Sequence, residues 1–327
     1  MIKKLTWLRL CGTDPYENLA VEAYLTSNIE MGELLFILWQ NQKSVVIGRN
    51  QNCFEECRIE LLEEEGGKLA RRCSGGGAVY HDLGNLNFSF ITRKENYNLE
   101  RQLHVIVNAV RSFGIKAEAA GRNDIMAEGR KISGSAFLES GGKCCHHGTL
   151  MISLEKDMLE RYLKVPESKL NLKGIKSVYS RVANLCDWNP GVTVAQVEEA
   201  LKRSFGKVYD GLPVNQSNDV LDTKQIVSLT KRLSSAQWIY GREIPFNCQM
   251  KEQFVWGKIE ILLEINGGQI IKAEVYSDAI DQSAICQLRD HLVGCPYRIR
   301  ELTEAVKTIE FEHYTEVAAL ITEQMKL

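Results

Sequence analysis

The chain has 327 residues, 44% of them hydrophobic, with 40 basic against 42 acidic side chains and a formal net charge of −2. That is enough apolar material for one large domain, or a large one with a smaller companion. The charge is too balanced for bulk attraction to nucleic acid or an acidic membrane, and ten scattered cysteines without a secretory signal argue against a disulfide framework.

The N-terminus opens with Lys3 and Lys4 like a signal peptide, but Arg9 interrupts the apolar run and no small-residue cleavage site follows. No later stretch is long and apolar enough to span a bilayer, so a cytoplasmic protein with no membrane partner is expected. In "TDPYENLAVEAYLTSN", Asp14 caps a helix, Pro15 takes its first position and Glu17 is placed to close a capping box. Tyr16, Leu19, Ala20 and Ala23 share one face. "LLFILW" (34–39) and "SVVIG" (44–48) read as a strand pair joined by a short turn.

"NLNFSFIT" alternates Leu86, Phe88 and Phe90 with Asn87 and Ser89, the pattern of a half-buried strand. A helix follows, with Leu99, Leu103, Ile106, Val110 and Phe113 on one face and Gly114 at its end. "DIMAEGRKISGSAF" reads as a hairpin turning near Glu128-Gly129, "HHGTLMISL" as a strand, and Glu155 to Leu163 and 193–206 as helices. Beyond the connector "WIYGREIPF" (238–246), two strands meet at Asn266-Gly267-Gly268 and two amphipathic helices follow. The expected class is α+β, with a main domain over residues 1–240 and a small α+β domain over 247–327.

Cysteine and histidine are weak metal signals here. "CFEEC" (Cys53, Cys57) lacks zinc-knuckle spacing. In "CCHH" (Cys144 to His147) neighbours on a strand face opposite ways, which argues against one tetrahedral site. Two other segments carry more. "RRCSGGGAVYHD" places Arg71 and Arg72 beside Gly75, Gly76 and Gly77, suited to an anion on bare backbone but equally to a wide turn or bulge. "GRNDIMAEGRKISGSAF" brings Arg122, Asn123 and Asp124 to a hairpin entry, and Lys131 just before Ser133-Gly134-Ser135. Two cation-plus-glycine segments point to a bound polyanion such as a nucleotide, although a hairpin lysine is ordinarily a solvated charge.

Taken with "LWQNQKSVVIGRNQN", "HHGTL" and "KGIKSVYSRVANL", these segments closely resemble the lipoate–protein ligase A family, in order, over residues 34–186. The resemblance implies a mixed-sheet catalytic fold shared with biotin protein ligases, plus the small C-terminal accessory domain of longer members. It implies ATP-dependent activation of lipoate as lipoyl-AMP and transfer to a lysine of lipoyl domains. The implied acceptors are 2-oxoacid dehydrogenase E2 subunits and the glycine-cleavage H protein, with no nucleic-acid partner.

By the same resemblance, Arg72, Gly77, Ala78, Val79, Tyr80, Asn123 and Asp124 hold the adenylate, and Lys131 faces the charge that builds in both half-reactions. Mg²⁺ is expected near Asp124. Trp39 and Val46 are candidate walls of the lipoyl-tail pocket, with an ordinary core tryptophan as the alternative. His81 and His147 read as structural histidines. Two rivals stand beside the ligase: an ATP-independent octanoyl or lipoyl transferase using Cys144 as its thioester nucleophile, and a non-catalytic lipoate or lipoyl-domain binder.

Overall fold

The computed structural model describes residues 2–121, 123–164, 182–215, 221–242 and 244–325. The chain forms two compact units. The first comprises Met1–Val46, Glu56–Ala70 and Val79–Ser235; the second comprises Ile47–Glu55, Arg71–Ala78 and Ala236–Leu327.

The first unit is built on strands β1 (Lys4–Arg9), β2 (Glu33–Trp39), β6 (Asn85–Arg93), β7 (Ala117–Ala120), β8 (Asp124–Ala127), β9 (Arg130–Ser140), β10 (Lys143–Met151) and β11 (Val214–Asn215). They form one sheet in the order β11-β1-β2-β6-β10-β9-β8-β7. β1 runs parallel to both its neighbours and the other pairs given are antiparallel, so the sheet is mixed, as expected. A second sheet orders β4 (Lys68–Arg71), β3 (Ser44–Ile47) and β5 (Val79–His81) as β4-β3-β5. The expected pairing of β2 with β3 does not occur. Both edges of β2 are taken, by β1 and β6, so β3 finds its partners elsewhere.

β6 is buried on both faces rather than one, with every residue from Asn85 to Thr92 inside. One face supplies Phe88 and Phe90 to the core. Phe36 stacks on Phe90 at 4.5 Å between ring centroids, and Phe205 of helix Val194–Val208 closes on Phe36 at 5.1 Å. That helix starts at a full capping box formed by Thr193 and Gln196. Helix Leu99–Arg111 is capped by Asn98, and helix Pro15–Asn28 by the Asp14 carboxylate, which accepts from the Tyr16 and Glu17 amides. The Glu128-Gly129 turn forms as expected: φ is +48° and +77°, the paired left-handed conformation that lets a two-residue turn follow the twist of its strands.

In the second unit, β12 (Cys248–Gln253), β13 (Lys258–Asn266) and β14 (Gln269–Ser277) make an antiparallel sheet in that order. Gly267 and Gly268 form the β13–β14 turn with φ of +58° and +76°. Three helices follow, not two: Gln282–Leu292, Ile299–Lys307 and Tyr314–Gln324. The last two are separated by "TIEFEH", which has no glycine or proline to mark a stop. No described helix is long and apolar enough to cross a membrane.

Phe90 is fully buried between two rings, so Phe90→Ala should cost about 3–5 kcal/mol. Urea unfolding is expected to show it as a lowered midpoint with an unchanged slope.

Candidate active site

Lys131 lies at the start of β9, where pairing with β8 slips. Ile125 faces Ser133 while Met126 faces Lys131, so an extra residue is accommodated between them. Such a bulge re-aims the side chains around it. The Lys131 amine is 2.7 Å from Asp124 Oδ1 and about one-third exposed. It lies across Gly134: a Cβ at that position would sit 2.8 Å from Nζ and 2.9 Å from Cε. The strand is therefore bare where the lysine crosses it. The Ser133 and Ser135 hydroxyls nearby are buried without a hydrogen-bond partner among the described residues. Asn123 is fixed by two bonds to Ser135, from its side-chain amide to the carbonyl (3.2 Å) and from the Ser135 amide to its own carbonyl (2.7 Å). The Ala183 amide donates to the Lys131 carbonyl at 2.9 Å. Residues 165–181, which include 173–181 of the "KGIKSVYSRVANL" motif, and Arg122 lie outside the described residues.

A second group, also in the first unit, surrounds Trp39. Its indole N–H donates to Ser89 Oγ (2.9 Å), which donates to Glu22 Oε1 (2.5 Å), and His147 Nδ1 is 2.9 Å from both Glu22 oxygens. Burial alone would push the Glu22 carboxyl up. The His147 charge and hydrogen bonds from His147, Ser89 and Cys145 outweigh it and hold the group below its ordinary value. His147 is thus a partner of a buried carboxylate. His81 Nδ1 accepts from Asn41 Nδ2 at 3.1 Å, and the ring meets Trp39 edge-on. Val46 is buried on β3 opposite Val79.

In "CCHH" neighbours face apart, but residues two apart lie on the same side of the strand. Cys145 and His147 share a face, and with Glu22 their ligand atoms lie within 4.8 Å of one another. Cys144 faces the other way, opposite Glu139 on β9. Burial first, and then the Glu139 charge, raise its thiol pKa, so it is no activated thiolate.

The glycine loop belongs to the second unit through Ala78, while Val79 and Tyr80 belong to the first. Gly75 is required by packing, since a Cβ would meet the Ala279 and Ile280 carbonyls at 2.5 Å, and Gly76 by its φ of +87°. Gly77 is exposed with open space around it, and Ala78 and Val79 are half-buried. Arg72 donates to Ser74 Oγ and to the carbonyls of Gly75 and Gly77 at 2.7–3.2 Å. Arg71 is fully buried and donates to the carbonyls of Gly48, Arg49, Gln51 and Ile239. Arg72 therefore supports the glycine loop from within, while Arg71 ties down the 48–51 segment and Ile239. Tyr80 is buried against Tyr162, and burial, followed by Asp82, raises its hydroxyl pKa.

Glu22, Ser89 and Cys145 escaped the sequence reading as polar members of these groups. A signal existed for two of them. Glu22 is three residues from Leu19 on the buried helix face, and Ser89 alternates with phenylalanines on a strand too apolar to have a wet side.

Comparison with known proteins follows the same outline. Residues 14–206 match the lipoyl protein ligase A/B catalytic domain, and residues 243–326 the bacterial lipoate protein ligase C-terminus. The chain is 37% identical over 307 residues to a lipoate-protein ligase A of Bdellovibrio bacteriovorus, covering 92% of this chain and 91% of that one. A crystal structure of P. falciparum LipL1 in complex with lipoate superposes with a TM-score of 0.83 at 30% identity, covering 97% of this chain and 99% of that one. A crystal structure of lipoate-protein ligase A bound with ATP gives 0.61 at 27% identity, covering 74% and 99%.

Glu22→Gln should lower stability by about 1–3 kcal/mol at neutral pH, because a carboxylate bonded to three donors is replaced by a neutral amide. The Glu22 pKa is depressed in the fold, so this advantage is fully present above the unfolded value and is lost as pH falls through the folded one. Unfolding of wild type and variant should therefore converge below about pH 4, the ordinary glutamate range.

Proposed function

The chain belongs to the lipoate–protein ligase family, and from that premise we propose that it attaches lipoate to a lysine of a lipoyl domain in two ATP-dependent half-reactions through lipoyl-AMP. The observation that carries this reading is the Lys131 amine, held by Asp124 across bare Gly134 beside the buried hydroxyls of Ser133 and Ser135. A carboxylate and an amine neutralise each other in water before they condense, so the acid must first gain a leaving group.

In the first half-reaction a carboxylate oxygen of lipoate attacks the α-phosphorus, and the bond to pyrophosphate breaks. In the second, the unprotonated ε-amine of the acceptor attacks the acyl carbon. The C–O bond breaks, AMP leaves with the electron pair, and the new amide sheds a proton to solvent. Negative charge builds on the α-phosphate oxygens in the first step, and on the acyl carbonyl oxygen and then the departing phosphate in the second. Lys131 supplies a preorganised cation there, and its ion pair with Asp124 orients it beforehand. Asn123, Arg72 and the backbone of Gly77, Ala78, Val79 and Tyr80 are assigned to the adenylate. The tail is assigned to Trp39 and Val46.

Mg²⁺ commonly keeps several waters and takes one or two carboxylates plus substrate phosphates. One oxygen of Asp124 is engaged by Lys131, and the other suits such a single protein ligand. The Glu22, Cys145 and His147 set includes a soft thiol and does not suit it. When bound, Mg²⁺ would screen the departing pyrophosphate. The acceptors in this reading are lipoyl domains of 2-oxoacid dehydrogenase E2 subunits and the glycine-cleavage H protein. Its compartment is the cytoplasm, which fits ten cysteines that are all free thiols.

The decisive assay is lipoate-dependent exchange of labelled pyrophosphate into ATP; a wild-type chain that is silent there and active with an acyl carrier protein would be a transferase. Lys131→Ala should lower turnover about 10²–10³-fold with folding intact, the effect of removing one oxyanion-type donor. Gly134→Ala should displace the amine and lower turnover similarly, with less than about 1 kcal/mol of stability lost because the obstructed atoms end a flexible chain. Cys144→Ala should retain most ATP-dependent activity.

A further inference from the structure

Within the second unit, three arginines converge on one another. Arg242 is buried and donates to Glu274, Asn50 Oδ1 and the carbonyls of Arg49 and Val275. Arg71 is buried with its donors on backbone carbonyls. Arg49 differs. Its guanidinium lies 4.2 Å from the centroid of the Trp238 ring, is half-buried, and has no hydrogen-bond or carboxylate partner among the described residues. Its charged neighbours are Arg242 and Arg289, with the thiols of Cys73 and Cys286 beside it. Arg289 pairs with Asp290. Glu274, bonded to Arg242, is thus the single carboxylate paired with any of the three among the described residues, leaving them with an excess of two positive charges.

Buried and half-buried guanidiniums in mutual repulsion are costly unless an anion is present. Stacking on an indole fixes the plane of Arg49 and leaves its edge, with paired N–H groups, for a planar or tetrahedral oxyanion. An excess of two charges matches a multiply charged anion better than a carboxylate.

We propose that Arg49, seated on Trp238, is a polyphosphate-binding group of the second unit that takes oxygens of pyrophosphate, whether free or as the leaving end of ATP. This deepens the ATP-dependent reading and rests on it for its role, but the site itself is testable without catalysis.

Inorganic pyrophosphate titrated calorimetrically into the full chain should bind wild type and bind Arg49→Gln about tenfold or more weakly, the loss expected for charge-assisted hydrogen bonds. Melting curves check the fold, and Arg49→Met, which keeps the stem over the ring, replaces the glutamine variant if that one unfolds. AMP, which lacks the pyrophosphate end, should bind both proteins within about twofold. Equal pyrophosphate binding by wild type and the neutral variant overturns the proposal, as does a wild-type chain that does not bind pyrophosphate. Lipoate-dependent exchange in wild type separates the two failures: exchange with unchanged pyrophosphate affinity in Arg49→Gln removes the site alone, and no exchange in wild type removes the ATP reading.

Discussion

A lysine amine 2.7 Å from a carboxylate, lying over a residue with no side chain, is the constraint around which the first unit's site is organised. An ion pair this exposed adds little to stability. Its contribution is position: Asp124 and Lys131 come from opposite arms of one hairpin, and the register slip between Ile125 and Met126 sets how the arms meet. Gly134 must be bare for the amine to cross, and the buried hydroxyls of Ser133 and Ser135 lie on the same strand. Turn, bulge, glycine and ion pair are one device.

The first unit also holds a bonded polar group on its sheet. Trp39, Ser89, Glu22 and His147 are linked in series, from indole N–H to hydroxyl, carboxylate and imidazole. A buried carboxylate is tolerated here because three donors and a histidine charge converge on it. The opposite face of β6 carries Phe88 and Phe90 into the core, so a single strand separates a packed aromatic layer from a bonded polar one. That division fixes the orientation of Trp39 more firmly than packing alone would.

In the second unit the same economy appears in arginines. Arg72 holds carbonyls of the glycine-rich turn and supports it from within, Arg71 holds those of Gly48, Arg49, Gln51 and Ile239, and the space beside Gly77 stays open. Holding three guanidiniums near one another with one carboxylate leaves a field that favours anions. Loop shape and local charge thus arise from neighbouring residues of the same short segments.

The sequence by itself determined the helix capped by Asp14, the turns at Glu128-Gly129 and Gly267-Gly268, the mixed α+β class and the family. These rest on local chemistry, namely caps, left-handed turn residues and collinear motifs, which need no knowledge of distant chain. Tertiary structure alone decided that β3 leaves β2 for another sheet, that both faces of β6 are buried, and that Ile47–Glu55 and Arg71–Ala78 join the C-terminal segment. It also decided that Glu22 meets His147 across 125 positions, and that the Arg49 side chain rather than that of Arg71 is without an acceptor among the described residues. The reason is physical. A strand's partners and a buried charge's counter-charge depend on which edges and donors remain after everything else has packed, and no local pattern carries that information.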